Sequence, residues 1–165
     1  MLLFTSNIGV AKTILHECIH AFLGIKSLNE NLGMTLPGLN NTDVGELIDQ
    51  YVANYPELQA DHNFMYNHMI PTMVQCLAEI RDLLATPENI TSIEDTFIGT
   101  PLGTVPETYS LESFNWVDFY KYLAFSGLSH SNCFEEDLPT GSPENYIFQQ
   151  YNNINRTYFA NTCIN

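Results

Sequence analysis

The segment His16-Glu17-Cys18-Ile19-His20 restricts this chain more than any other. Two imidazoles four residues apart face the same way on a helix, where such positions stand about one turn apart on one side. The flanking residues agree with that placement. Val10, Ile14, Cys18, Phe22 and Ile25 recur at three- and four-residue steps between about Ile8 and Ile25. That spacing predicts an amphipathic helix whose core-facing stripe is offset from the two histidines. Thr5, Ser6 or Asn7 can cap its start, and Gly24 lies near its end.

An H-E-x-x-H on a helix has a specific chemical use. Both rings can reach one zinc ion, with Zn–N bonds of roughly 2.0 to 2.1 Å. Glu17 stands one residue off the ligand stripe, so it is placed to hydrogen-bond a water on the metal rather than to ligate. Zinc lowers the pKa of that water toward about 7, and a neighbouring carboxylate can then take its proton as general base. At this chain's length and composition, chance alone produces such a motif on the order of once in a hundred sequences. The competing reading is a helix with two surface histidines and a solvated glutamate.

A catalytic zinc needs a third protein ligand, so a second element must cross the first helix. Candidates downstream are Glu46, Glu57, Asp61, His62 and His68. His62 is preferred. A long helical stretch from about Leu58 to Leu84 puts His62, Met65, Met69, Thr72, Cys76 and Ile80 on one stripe, with a kink or break expected near Ile70 because Pro71 follows it. An ionisable ring on a core-facing stripe needs a partner, and a metal supplies one; a backbone hydrogen bond is the plainer alternative. Asp61 can also orient a histidine ring, or simply sit solvated at a favourable helix start.

His16, Glu17 and His20 resemble the zincin-type metallopeptidases, over about the first half of the chain. His62 and Met65, in a His-x-x-Met arrangement, resemble the third-ligand helix of SprT-like zincins and of small zincin-like proteins of Bacteroidetes. The pattern is not that of the metzincins, since Leu23 occupies their glycine position and Lys26 their third-histidine position. The resemblance implies a zinc metallopeptidase acting on a peptide or protein substrate, with His16, His20 and His62 as ligands and Glu17 as base. Zincins place a sheet ahead of the active-site helix, yet only about fifteen residues precede His16. The expectation is therefore a minimal helical zincin, with any substrate-holding strand drawn from residues 92–100, or the C-terminal portion of a longer protein.

The remaining sequence predicts a mainly α, single-domain fold with at most a small β element. A loop over 27–42, a short helix from Asp43 to Tyr55, an irregular connection over 86–110 with one strand at 96–98, a helix from Leu111 to Ser126 closed by Gly127, and a last short helix opened by Ser142-Pro143 are expected. Apolar residues make up 45%, enough for a sizeable core in 165 residues. Five Lys and Arg against 19 Asp and Glu leave a formal charge of −14, which repels phosphate backbones and argues against nucleic acid as a partner. No stretch is long and apolar enough for a membrane span, and no signal peptide is evident, so a complete chain would be cytoplasmic. Cys18, Cys76, Cys133 and Cys163 form no CxxC pair and read as buried free thiols. Ser126 and Ser129 lack a nucleophile elbow. His130, Tyr120 and Tyr122 could assist at an oxyanion, although Tyr120 belongs to a Trp116-Phe119-Tyr120-Leu123 stripe of the kind that usually forms core. The rival functions are a metal-binding or helical interaction domain without turnover, and a metal hydrolase of non-peptide bonds. Oligomeric state is not set by any feature of the sequence.

Overall fold

Four of the described helix starts are written in the sequence as a hydroxyl or amide cap, at Thr86, Asn115, Ser131 and Ser142. The structure, a computed structural model, describes residues 7–28, 53, 57–101, 109–129 and 131–159. Helix α1 spans Asn7–Leu28. Helix α2, Glu57–Phe64, runs through a π-helical turn, Met65–Met69, into α3, Ile70–Leu84. Thr86 caps α4, Pro87–Glu94, by accepting from the Asn89 N–H at 3.3 Å. Strands β1, Phe97–Pro101, and β2, Tyr109–Ser113, form an antiparallel pair with Gly99 opposite Leu111.

Asn115 then caps α5, Trp116–Phe125, accepting from the N–H groups of Val117 and Asp118 at 2.8 and 3.2 Å. Ser131 caps the short α6, Asn132–Asp137, and Ser142 caps α7, Pro143–Tyr158, each with proper hydroxyl acceptance. The fold is thus mainly helical with one two-stranded sheet, as the sequence predicts. Among the described residues no helix is long and apolar enough to cross a membrane.

The core has two connected parts. One gathers Ile19 and Leu23 of α1, Phe64, Met65, Met69 and Met73 of the long helical arm, Phe125 at the end of α5, and Leu128 just after it. The other gathers Ile8, Leu77, Ile93, Ile98, Phe119, Leu123, Tyr151 and Phe159. Helix α3 packs along both α1 and α5, and α7 covers α5 and β1. The two ends of the chain segment meet where the Asn7 N–H donates to the Phe159 carbonyl at 3.2 Å. Each fully buried large side chain, such as Leu77 or Phe119, contributes about 1.5–3 kcal/mol relative to exposure.

Several expectations require correction. The predicted stripe of α1 is not the buried one: Val10 is 40% and Ile14 58% exposed, and Cys18 is exposed as well. The buried line runs through Ile8, His16, Ile19 and Leu23. This helix is apolar on two sides, and the side that carries a histidine is the one that meets α3 and α5. Cys18 is therefore an exposed thiol, while Cys76 and Cys133 are half-buried and free. Helix α1 also continues past Gly24 to Leu28.

The kink or break expected near Ile70 takes the form of a π-helical turn over Met65–Met69. Pro71 lacks the N–H that would close an α-helical turn, and the wider turn just ahead of it absorbs the defect without ending the helix. The turn also shifts the register, so Met73 and Leu77 are buried where Thr72 and Cys76 had been expected. Within the predicted irregular stretch stands helix α4, and β2 occupies the start of the predicted helix from Leu111. Helix α6 has no counterpart in the sequence reading, and α7 is longer than a short terminal helix. The helix expected over Asp43 to Tyr55 lies almost wholly outside the described residues, as do most of the 27–42 loop and Cys163.

Candidate metal centre

Three histidines from two helices meet at one point because α1 carries two of them one turn apart and α2 brings a third against them. The His20 Nε2 atom lies 3.2 Å from His16 Nε2 and 3.3 Å from His62 Nε2. One ligand atom from each ring falls within 4.8 Å of the other two, so the group could hold a metal ion. For tetrahedral ligation at roughly 2.0 to 2.1 Å, neighbouring ligand nitrogens are separated by roughly 3.3 to 3.4 Å. The two spacings about His20 Nε2 lie close to that value.

The proton inventory points the same way. His20 Nδ1 and Asp61 Oδ2 are 3.1 Å apart. An ionised carboxylate only accepts, so His20 Nδ1–H donates, and in the neutral ring Nε2 then keeps its lone pair. That single lone pair faces two other ring nitrogens, and at most one of them can donate to it along its axis. A cation at the centre satisfies all three rings at once.

His16 is 8% exposed, while His20 and His62 are half-buried. Burial lowers the pKa of His16 to about 4, helped by the nearby positive ends of His20, His62 and Lys12 and opposed by Glu17. At neutral pH His16 is uncharged, which is the protonation state that binds metals.

Comparison with protein-family models, with curated proteins and with solved structures returns no match. The reading of the site accordingly rests on its own geometry.

The structure sorts the residues singled out in the sequence. His16, His20 and His62 come together. Glu17 is exposed beside them, within electrostatic reach of His16 and Lys12. Asp61 is outside the ligand group and orients His20 across the helix crossing. His68 sits in the π-helical turn with its ring 4.9 Å from that of Phe64, and burial lowers its pKa; it is not part of the cluster. Tyr120 is buried in the second part of the core, stacked on Trp116, and burial pushes its hydroxyl up to about 12 despite Arg81 close by. Tyr122 stacks on Tyr151 at 5.3 Å. Glu57 begins α2 but its side chain is outside the described set, and Glu46 and His130 lie outside the described residues altogether.

Two neighbours of the cluster escaped the sequence reading. Lys12 stands one turn before His16, half-buried, with its pKa lowered by burial and partly restored by Glu17. The signal was present, since 12, 16 and 20 advance in equal steps of four along one face. The other neighbour is Gly127, more than a hundred positions from His16, and no local pattern could have placed it there.

Proposed function

We propose that the chain is a zinc-dependent peptidase in which His16, His20 and His62 hold the ion and Glu17 is the general base. The observation that carries this reading is the convergence of three ring nitrogens on one point, with spacings of 3.2 and 3.3 Å about His20 Nε2. The H-E-x-x-H pattern gives the hydrolytic reading its direction. When bound, zinc supplies a Lewis acid and brings the pKa of a coordinated water toward about 7.

The chain's own residues would supply the rest. His20 is fixed in the Nε2-ligating tautomer by Asp61, and His16 is held neutral by its burial. The Glu17 carboxylate takes a proton from the attacking water and returns it to the departing amine, leaving the glutamate unchanged after each cycle. Lys12, on the same helical face as His16 and His20, lies within electrostatic reach of His16 and Glu17. A metal-binding domain without turnover is the second reading. It is favoured by the sheet, whose strongest described helix packing is between β1 and α7.

Glu17→Gln separates the two. The variant is expected to keep zinc and to lose hydrolysis of fluorescein-labelled casein by about 100-fold or more. Hydrolysis at the wild-type rate would overturn Glu17 as base, and zinc-loaded wild type without hydrolysis would leave the non-catalytic reading standing.

A further inference from the structure

We infer that Gly127 is a positioning residue for His16, and that the chain carries a glycine there because the histidine ring occupies the space of its side chain. The inference rests on the proposed metal site and deepens it. A Cβ at position 127 would lie 2.9 Å from His16 Nδ1, 3.2 Å from Cε1 and 3.5 Å from Cγ. The first of these is shorter than Cβ contacts in folded proteins, so a side chain here would press on the face of the ring that bears Nδ1.

Backbone conformation does not explain the glycine. Helix α5 ends on Ser126, which caps it in ordinary right-handed geometry. Among the described glycines only Gly141 has a positive φ, so Gly127 occupies a conformation open to any residue. The required property is the missing Cβ.

The turn cannot easily yield. Its next residue, Leu128, is 0% exposed in the same core as Ile19 and Leu23. The Leu128 N–H donates to the Phe125 carbonyl at 2.8 Å, and the Ser131 N–H donates to the Leu128 carbonyl at 2.9 Å. Beyond it, the Cys133 N–H donates to Asn63 Oδ1 at 3.1 Å, which ties this segment to the helix bearing His62. The ring is the movable party. Its Nδ1 is buried without a hydrogen-bond partner among the described residues, so contact with the turn, rather than a hydrogen bond at that atom, sets its angle. Turning the ring away from position 127 swings Nε2 out of its 3.2 Å relation with His20.

The test uses the full chain as wild type, Gly127→Ala, His16→Ala and the double variant. Zinc affinity is read by competition with a chelating dye, and metal-free melting temperature by circular dichroism. Gly127→Ala is expected to weaken zinc binding by roughly 10- to 100-fold, the range typical when support of a ligand histidine is lost. It should also lower the metal-free melting temperature in the wild-type background and leave it unchanged in His16→Ala, where the ring is gone. Should Gly127→Ala fail to fold, the same logic requires the double variant to fold. Zinc affinity within twofold of wild type, or an equal loss of melting temperature in both backgrounds, overturns the inference alone. A wild-type chain that takes up no zinc overturns it together with the proposed function.

Discussion

Replacing Asp61 by Ala removes a carboxylate that contacts a candidate ligand ring. The pair spans 3.1 Å between His20 Nδ1 and Asp61 Oδ2, with the two side chains 26% and 35% exposed. A hydrogen bond to a charged group contributes about 1.5 to 3 kcal/mol when well shielded. Partial exposure screens this one to just below that range, about 1.4 kcal/mol, or tenfold in an equilibrium constant. Asp61→Ala should therefore weaken zinc binding about tenfold, within the range found for carboxylates that support ligand histidines. Asp61→Asn, whose amide oxygen can still accept from Nδ1–H, should lose less. The assay is dye competition at fixed pH with both variants folded by circular dichroism. If Asp61→Ala binds zinc within twofold of wild type, the orienting role is wrong. If it abolishes binding outright, Asp61 belongs among the ligands and the three-histidine set is incomplete.

Further outcomes follow from the same geometry. Stability of the metal-free protein should decline as pH falls from about 6.5 toward 4, because His16 titrates near 4 when folded and near 6.5 when unfolded, so the unfolded chain binds the extra proton in that window. Urea unfolding across that range checks the sign, and a profile that rises toward acid contradicts the buried neutral ring. His16→Ala should flatten the same profile. His68→Ala should leave zinc affinity unchanged, since that ring packs on Phe64 outside the cluster, whereas a loss comparable to that of His16→Ala would move the third ligand into the π-helical turn.

Much of this architecture was legible because local chemistry decides it. Ser142-Pro143 announces α7, and the Trp116-Phe119-Tyr120-Leu123 stripe announces a core helix whose buried members are Phe119, Tyr120 and Leu123. The two histidines of α1 were likewise fixed by helical spacing. What escaped depends on events that no single segment contains. The buried face of α1 was misread because Val10 and Ile14 are as apolar as Ile8 and Ile19, and only the arrival of α3 and α5 chooses between the sides. The line of α3 was displaced by a π-helical turn that Pro71 hints at but does not specify. That Asp61 can orient a histidine ring is legible, but which ring is not, since its partner is His20, 41 residues away and reachable only once the helices cross. Strand β2 was absorbed into a predicted helix because the Asn115 cap, rather than Leu111, marks where α5 begins.

That His16, His20 and His62 together hold one zinc ion is tested most directly by the zinc content of purified, zinc-equilibrated and desalted protein, read by elemental analysis with His62→Ala alongside. About one zinc per wild-type chain is expected, with a clear loss of retained metal in His62→Ala, because removing one of three ligands leaves only the pair on α1. Wild-type protein that retains no zinc, or His62→Ala that retains as much as wild type, would contradict it.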